Sequence, residues 1–596
     1  MKYSDQISLW LKDLGYTHCF YVAGGNTMHM NESLSRFLIC IPVLHEVAAG
    51  IACEYFNESQ PDYKAIALVT AGPGLTNIVT AIAGAYLESR ELLVIGGQVK
   101  TSDLSLGKVR QRGIQEIDGV TIVKSITSSS TLLTDVLDFR AFSSLVALRQ
   151  DRRKAPVFIE LPIDIQARDY RESLDSKLNN NNNSFKSGGK EINAESIKGL
   201  TSLLASSQRP FLLIGGGVSR GFAKSQSYNL DNLSIPIGTT WNGADRISSD
   251  GINYFGRPNT WGQRSANMIM QQSDLIIAVG TRLGLQQTGF NWEEFAPRAK
   301  IIQVDIDESE LAKGHPLVNL PICGDADLFL SALQNIVMNF DRTIKSEWLE
   351  WIEYAKVIRK DMPAVEDGNK KYEGYISPYD FMIWLSAISS NDDVVVPCSS
   401  GGSFTTFMQT FSQKAGQTII TNKGLASMGY GLAGAIGCCF AHPDKKVILI
   451  EGDGGLSQNL QELGTAAVNR LNLKVFIFDD GGYASIRMTQ KNYFNGNYRG
   501  CDVSTGLGLP NWRKLSTAWD IECLEVNQDF RNNSKFIDLY NSKGVAVFIV
   551  KIHPEQTYYP KITSIINPDG SMKSNPLHKM SPELNSVQER KYLKYL

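Results

Sequence analysis

The stretch that decides the fold is VILIEGDGGLSQNLQELGTAAVNRLNLKVFIFDDGGYASIR, residues 447–487. Its two apolar runs, VILIEG and KVFIFD, are rich in Val, Ile and Phe and predict buried parallel strands. Between them, leucines recur at helical spacing from Leu456 onward, and a strand, helix and strand in this order return to the same sheet. Asp453 follows the first run and Asp480 follows the second. The two carboxylates are therefore expected at the carboxyl edge of one α/β sheet, where such folds bind ligands.

Glycines surround the first carboxylate and shape the space beside it. Gly452, Gly454 and Gly455 allow the backbone to approach a ligand closely, and a helix starting near Leu456 directs free N–H groups to the same place. Carboxylates beside an anion-binding turn repel a phosphate, but Mg²⁺ removes this repulsion because it joins carboxylates to phosphate oxygens. We therefore expect a magnesium–diphosphate site. A plain βαβ unit with solvated carboxylates is the alternative.

Length and composition limit the other possibilities. The chain has 596 residues, is 43% hydrophobic and 20% charged, and carries a formal net charge of −2. These values predict about three or four globular domains and give no support for nucleic acid or an anionic membrane as a partner. The N-terminus is typical of an amphipathic helix, and no apolar run approaches the roughly 18 residues of a membrane span. The 9 cysteines form no CxxC pair, so we expect reduced thiols in a cytoplasmic protein and no zinc site.

Short apolar runs alternate with helix-like segments in three blocks, which is the pattern of α/β domains with parallel sheets. A polar segment with five consecutive asparagines separates the first two blocks, and a charged helical segment separates the last two. The predicted parts are a first domain 1–170, an Asn-rich linker 171–192, a central domain 193–345, a helical linker 346–372, a third domain 373–560 and a polar tail 561–596.

A GDG motif followed one crossover later by two acid or amide residues is typical of thiamine diphosphate enzymes. The sequence resembles that superfamily, and within it the acetolactate synthase large subunits, from about residue 5 to 560. Further segments stand in the family's order: HEVAAG, TAGPGLTNIVTAIAGAYLES, GGQV, RGIQEIDGVTIVKSIT, AKIIQVDIDESEL, GLASMGYGLAGAIG and GDGGLSQNLQELGTA. The resemblance implies three doubly wound parallel-sheet domains, namely pyrimidine-binding, central Rossmann-like and diphosphate-binding.

The resemblance also implies an assembly and a set of roles in the first domain. The implied assembly is a homodimer or homotetramer whose cofactor lies between two subunits, and a regulatory subunit is left open. Glu46 matches the catalytic glutamate, whose protonated carboxyl meets N1′ of the aminopyrimidine, and Gln115 matches a glutamine facing the reacting centre. Gly25, Pro73 and Asn77 match positions around the pyrimidine. An exposed glutamate and an ordinary strand-to-helix turn are the alternatives.

Four positions bear on the substrate. Gln98 in GGQV matches a pocket position, whereas Ile114 stands where acetolactate synthases usually carry Phe, which alters the pocket for the acceptor. Arg487 and Gln490 lie where the family's substrate-side helix begins, and they can hold a carboxylate or phosphate of the substrate. A solvated helix face is the alternative for both.

The remaining cofactor contacts are implied in the third domain. Met428 matches the bulky residue that bends the cofactor, and the carbonyls of Gly424 and Ala426 match acceptors for its aminopyrimidine; an ordinary core methionine is the alternative. The implied metal ligands are Asp453, Asp480 and the Gly482 carbonyl. Asparagine is usual at position 480, so the aspartate adds a negative charge. Further implied contacts are Ser399, Ser400, Gly452, Gly454, Gly455 and Tyr483.

The central domain raises the question of a flavin. Acetolactate synthases hold FAD there, and LIGGGVSRG and VGTRLGLQQTGF are similar to the segments that line it. Three glycines after a strand also occur in thiamine diphosphate enzymes without a flavin, so an empty Rossmann-like domain is the alternative.

The implied reaction is decarboxylation of a 2-oxo acid, with pyruvate as the expected donor, followed by transfer of the two-carbon unit to a second carbonyl compound. The alternatives are a 2-oxo acid decarboxylase, a C–C hydrolase, or a specialised carboligase acting on a sugar or another metabolite carbonyl. A catalytically silent protein of the same fold is a further alternative, and the intact Glu46 argues against it.

Overall fold

The computed structural model describes residues 1–147, 153–171, 189–340, 342–567 and 569–596. The described residues fall into two compact units. The first unit contains those of 1–187, 394–401 and 420–551. The second unit contains those of 188–393, 402–419 and 552–596. Among all of them, no helix combines the length and the apolar character that crossing a membrane requires.

The first sheet has six parallel strands in the order β2-β1-β3-β4-β6-β5. The strands are Tyr16–Tyr21 (β1), Ile39–Pro42 (β2), Lys64–Val69 (β3), Leu93–Gln98 (β4), Ser129–Leu132 (β5) and Val157–Pro162 (β6). The helices are Tyr3–Asp13 (α1), Met28–Leu34 (α2), Glu46–Ser59 (α3), Pro73–Leu87 (α4), Gly119–Val123 (α5), Phe139–Val146 (α6) and Ile163–Ala167 (α7). Strands β4 and β6 are buried along their whole length, which explains their continuous apolar sequence.

The central sheet has five parallel strands in the order β11-β10-β9-β7-β8. The strands are Pro210–Ile214 (β7), Ile237–Thr239 (β8), Leu275–Val279 (β9), Lys300–Asp305 (β10) and Leu320–Cys323 (β11). The helices are Ala194–Ser206 (α8), Arg220–Asp231 (α9), Arg264–Gln271 (α10), Glu308–Leu311 (α11), Ala326–Met338 (α12) and Arg342–Asp361 (α13). The strands form the parallel sheet of the second unit, and the helices belong to the same unit.

The third part of the chain is divided between the two units: α14, β13 and all but the first residue of α15 belong to the second unit, and its other elements belong to the first. Its strands are Val394–Pro397 (β12), Thr418–Ile419 (β13), Val447–Gly452 (β14), Leu473–Asp479 (β15), Glu522–Val526 (β16) and Ala546–Lys551 (β17). Its helices are Pro378–Ile388 (α14), Gly401–Thr410 (α15), Tyr430–Ala441 (α16), Asp453–Leu456 (α17), Glu462–Val468 (α18), Ala484–Tyr493 (α19), Trp512–Thr517 (α20) and Ser534–Asn541 (α21). Within the first unit the strands run parallel in the order β12-β14-β15-β17-β16.

The C-terminal tail belongs to the second unit and adds two small antiparallel pairs and a helix. Strand β18 pairs with β21, and β19 pairs with β20. The elements are Lys561–Ile562 (β18), Ser564–Ile566 (β19), Met572–Ser574 (β20), Met580–Ser581 (β21) and Ser586–Tyr592 (α22).

Helices α3 and α16 join the two sheets of the first unit. They approach closely because α16 carries glycines at the contact: a Cβ on Gly437 would collide with the Ala52 carbonyl, and one on Gly434 would lie 2.5 Å from the Tyr55 ring. Small residues at a helix contact bring the two backbones together and make the spacing intolerant of larger side chains.

The structure confirms the predicted fold class, an α/β chain with three parallel sheets. The crossover in the opening stretch differs from the prediction, because the single expected helix is divided into α17 and α18. Turns at residues 457–461 separate the two helices, and within them the buried Asn459 donates 2.7 Å to the Gly429 carbonyl. The predicted domain boundaries remain predictions, and residues 172–188 of the predicted linker lie outside the described residues.

Candidate active site

The candidate catalytic carboxyl lies at the carboxyl edge of the first sheet. Glu46 is the first residue of α3 and is only 8% exposed, and its Oε2 accepts a 3.0 Å hydrogen bond from Nδ2 of Asn77 on α4. Gln115 reaches the start of α4, because a Cβ on Gly72 would lie 2.5 Å from the Gln115 carbonyl oxygen. Gly72 has φ +64°, so a glycine both allows this contact and relieves the turn before Pro73. The predicted residues Glu46, Pro73, Asn77 and Gln115 are thus brought together.

The remaining predicted residues of the first domain are Gly25, Gln98 and Ile114. Gly25 opens a short 3₁₀ turn after β1. Gln98 is buried, and its Nε2 donates 3.0 Å to the Ile117 carbonyl and 3.3 Å to Glu160, so its amide ties the loop before α5 to the sheet. Ile114 is 86% exposed beside Gln115.

Glu160 was not singled out from the sequence. It lies on β6, where burial raises the pKa of its carboxyl to about 7. An acid inside the apolar run VFIELP is the signal that identifies it.

Asp453 is the most enclosed of the predicted metal ligands, with 1% of its surface exposed. Its Oδ1 accepts 2.7 Å from the Gly454 amide, and its Oδ2 accepts 2.9 Å from the Gly481 amide, so it ties the turn after β14 to the turn after β15. Burial, followed by the charges of Asp480 and Asp479, raises the pKa of Asp453 to about 9. Two carboxylates are therefore held close together in a desolvated place.

Asp480 is also buried, and it has a cationic partner. Nη2 of Arg487 donates 2.7 Å to Oδ1 of Asp480 and 2.8 Å to its backbone carbonyl. Burial raises the pKa of Asp480 to about 7, although the guanidinium opposes this shift. The Gly482 carbonyl completes the group, since it lies 3.3 Å from the position of a Cβ on Gly454.

This donor set fits a magnesium ion. Two carboxylates and a backbone carbonyl converge on one sheet edge, and they are the hard oxygen ligands that Mg²⁺ prefers. A cation between the acids would also favour their charged forms, which burial disfavours. Within the described ranges, no cluster of three or more His, Cys, Asp or Glu side chains suggests another metal site.

The glycines of the motif have packing roles as well. A Cβ on Gly454 would collide with the Tyr483 ring, and one on Gly455 would collide with Glu451. Gly452 is the last residue of β14. The packing of Tyr483 and Glu451 against this turn thus requires glycines at 454 and 455, whether or not a ligand is bound.

The loop before α16 carries the predicted contacts to the aminopyrimidine. Ala426 has φ +55°, and Met428 is 38% exposed, with its sulfur 3.7 Å from Nε2 of Gln458. Ser399 donates to the Ser427 carbonyl and links the end of β12 to this loop, and Ser400 follows it. The loop therefore presents Met428 to solvent from a fixed backbone.

The loop before α16 and the candidate catalytic carboxyl are bound near opposite ends of helix α4. Glu46 is bonded to Asn77 in the N-terminal half of α4, whereas the Gly424 amide donates to the carboxylate of Glu88, directly after the last turn of α4. Glu88 stands eleven positions after Asn77, which corresponds to a rise of about 16 Å along the helix axis. Within one chain, the two predicted pyrimidine contacts therefore lie at opposite ends of α4.

Arg487 and Gln490, the predicted substrate residues of α19, are both engaged within the protein. Arg487 is buried against Asp480. Gln490 donates 3.1 Å to the Arg499 carbonyl and accepts 2.9 Å from its amide, which closes the loop after α19. A contact of either side chain with substrate remains a prediction.

The glycine turn of the central sheet is explained by packing. A Cβ on Gly217 would lie 2.7 Å from the Gly280 Cα, and one on Gly215 would collide with the Gly280 carbonyl. Arg246 also donates 2.6 Å to the Val218 carbonyl and 3.3 Å to the Gly216 carbonyl across this turn. Packing therefore accounts for these glycines without a ligand, and FAD in the central domain remains a prediction.

Comparison with known proteins agrees with the three-sheet organisation. Three family models match in chain order: the N-terminal TPP binding domain of thiamine pyrophosphate enzymes at residues 1–122, their central domain at 197–333 and their C-terminal TPP binding domain at 400–550.

The chain is also similar over most of its length to several acetolactate synthases. It is 27% identical to the acetolactate synthase isozyme 1 large subunit of Escherichia coli (strain K12) over 548 residues, covering 91% of this chain and 92% of that protein. It is 29% identical to the probable acetolactate synthase large subunit of Methanococcus aeolicus over 566 residues, covering 92% of each. It is 26% identical to the chloroplastic acetolactate synthase 2 of Nicotiana tabacum over 570 residues, covering 94% and 84%.

Proposed function

Because this chain belongs to the thiamine pyrophosphate enzymes, in the group similar to acetolactate synthase large subunits, we propose that it is a carboligase. It decarboxylates a 2-oxo acid, with pyruvate as the donor, and transfers the two-carbon unit to a second carbonyl compound. The observation that carries this proposal is the buried Asp453, which is fixed by two backbone amides beside Asp480 and the Gly482 carbonyl. The same chain places the carboxyl of Glu46 at the edge of its first sheet.

Thiamine diphosphate, when bound, supplies the carbanion that attacks the 2-oxo acid and stabilises the charge left when CO₂ departs. The protein contributes a group that carries a proton and side chains held in a fixed orientation around it. Asn77 holds Oε2 of Glu46, which leaves Oε1 to carry the proton that the reaction cycle needs. Gln115 presents its amide beside this carboxyl, on a backbone held by Gly72.

Asp453, Asp480 and the Gly482 carbonyl would hold Mg²⁺, and the metal would bind the diphosphate. The amides of Gly454 and Gly481 hold the carboxylate of Asp453, and the guanidinium of Arg487 holds that of Asp480. Ser399 and Ser400 follow β12 at the same sheet edge and are proposed as further diphosphate contacts.

A second copy of the chain would complete the site. Asn77, which binds Glu46, and Glu88, which binds the Gly424 loop, lie about 16 Å apart along α4, and this separation argues against one aminopyrimidine ring that contacts both within a single chain. We therefore propose a homodimer, or a tetramer built from dimers, in which Glu46 of one subunit faces Met428 of the other. The relatives are named as large subunits, so a regulatory subunit is a further candidate partner. None of the 9 cysteines, all of which lie in the described residues, forms a disulfide, which agrees with the cytoplasmic location that we propose.

The exposed Ile114 favours an acceptor other than a second pyruvate. A branched aliphatic residue replaces the usual phenylalanine beside Gln115, and its side chain is almost fully exposed in the chain. A less crowded acceptor side suits a bulkier carbonyl compound, such as a keto-sugar.

A turnover assay tests the proposal. The purified protein is supplied with thiamine diphosphate, Mg²⁺ and pyruvate, first alone and then with a panel of aldehydes, ketones and keto-sugars, and the products are identified. The Glu46→Gln variant is the matched control, and it should lose turnover while keeping the fold. Consumption of pyruvate only with a second carbonyl names the acceptor, acetaldehyde as sole product indicates a decarboxylase, and no consumption of pyruvate refutes pyruvate as the donor.

A further inference from the structure

The pair formed by Asp480 and Arg487 changes the charge of the candidate metal site. Both side chains are buried, and Nη2 of Arg487 bonds Oδ1 of Asp480 at 2.7 Å and its carbonyl oxygen at 2.8 Å. The guanidinium lies close to the third ligand as well, since Nη1 is 3.0 Å from the position of a Cβ on Gly482. One cation therefore contacts two of the three proposed ligand residues.

The formal charges show what this cation does. Asp453 and Asp480 carry two negative charges, which a divalent metal alone would cancel, so the loaded site would be neutral. Arg487 adds one positive charge, so the loaded site keeps a net positive charge for the diphosphate. Asp479, the next acid, is paired with Lys551 and adds no net charge. An asparagine at position 480 would give the same net charge without any arginine.

We propose that Arg487 is a positioning residue that makes Asp480 compatible with diphosphate binding. It neutralises the extra carboxylate and fixes Oδ1, so that the metal retains its attraction for the phosphate oxygens. This inference rests on the proposed thiamine diphosphate and magnesium site. It assigns Arg487 to the diphosphate end of the cofactor and not to the substrate.

Two binding measurements on four variants test the proposal. Mn²⁺ binding without cofactor is followed by electron paramagnetic resonance, and thiamine diphosphate binding at saturating Mg²⁺ is followed by quenching of tryptophan fluorescence. The variants are Arg487→Gln, Arg487→Lys, Asp480→Asn and the double variant Asp480→Asn/Arg487→Gln.

Removing the cation should move the two affinities in opposite directions. Arg487→Gln should bind Mn²⁺ alone about tenfold more tightly or better, and thiamine diphosphate about tenfold more weakly or worse, since a unit charge acts over a short distance in a partly desolvated site. Arg487→Lys keeps the charge and should stay near the wild type. The double variant restores the net charge and should recover both affinities to within about threefold.

Asp480→Asn keeps the proposal testable if Arg487→Gln does not fold. It leaves one positive charge too many, so Mn²⁺ alone should bind more weakly and thiamine diphosphate more tightly than in the wild type. A purely structural role would weaken both affinities together, and that result overturns the proposal. A raised KM for pyruvate in Arg487→Gln with unchanged cofactor affinity also overturns it, in favour of a substrate role. If the wild-type protein itself binds no thiamine diphosphate with Mg²⁺, the proposed function fails first.

Discussion

If the active site needs two chains, two inactive variants should restore each other. Glu46→Gln removes the carboxyl of one domain, and Asp453→Asn removes a metal ligand of the other. Each variant alone should lose about 100-fold or more of its turnover, because each lacks a group that every site requires. The two substitutions leave different halves of the proposed site intact.

The expected recovery follows from the geometry of α4. Asn77, which binds Glu46, and Glu88, which binds the Gly424 loop, lie about 16 Å apart along its axis, so in the proposed dimer the intact Glu46 of one chain serves the intact Asp453 of the other. In a mixed dimer, one site then carries both substitutions and the other carries neither. Mixed dimers should show about half of the wild-type activity, and an unselected mixture about a quarter.

The assay uses two affinity tags. The variants are co-expressed, one with each tag, and the mixed species is purified on both tags in turn before pyruvate consumption is measured. Glu46→Gln carrying both tags on separate chains is the control and should remain inactive. If the mixed species is as inactive as its parents while the oligomer is intact, each site is built within one chain, and the reasoning from α4 is wrong.

Three further predictions concern stability. Glu54→Gln should lower the thermal midpoint clearly, because a buried ion pair with Arg90 at 2.8 Å is broken at a cost of about 3–5 kcal/mol; an unchanged midpoint would contradict this. The carboxyl of Glu160, with its pKa raised from 4.5 to about 7, keeps its proton in the folded state, so its contribution to stability is lost as pH rises between these values. The midpoint of Glu160→Gln relative to the wild type should therefore increase from pH 5 to pH 7, and a flat difference would refute the buried-proton account. Gly437→Val should destabilise the protein by about 1–3 kcal/mol or more, because the new side chain meets the α3 backbone. Gly221→Val, on an open face of α9, is the control because it lacks that clash. Equal effects of the two substitutions would be inconsistent with tight packing between α3 and α16.

The sequence predicts those strands that are buried on both faces. The run KVFIFD became β15 and VFIELP belongs to β6, because continuous Val, Ile and Phe can only be covered in the middle of a parallel sheet. The edge strands β5 and β16 give no such signal, since SSTL and ECLEV are half-exposed and carry no continuous apolar run. An edge strand is determined by its neighbour more than by its own residues.

The candidate site was predictable where a motif places a residue at a strand end, as for Asp453 after β14. The contacts that set the charge and the position of the site residues were not predictable from the sequence. The bond from Arg487 to Asp480 depends on how α19 folds back, and the support of the Gly424 loop by Glu88 joins residues more than 300 positions apart. Glu160 gave a signal in the sequence, but its burial depends on α5 closing over it.

The contact between α3 and α16 has a consequence for synthesis of the chain. About 370 residues separate the end of α3 from the start of α16, and translation at about 5–20 residues per second takes roughly 20–70 s to cover them. During this time the face of α3 that carries Ala52 and Tyr55 lacks its partner helix, while the whole central domain emerges from the ribosome. The nascent first domain thus exposes an apolar surface that only the last third of the protein covers, so ribosomes that stall before Tyr430 release a chain prone to aggregation.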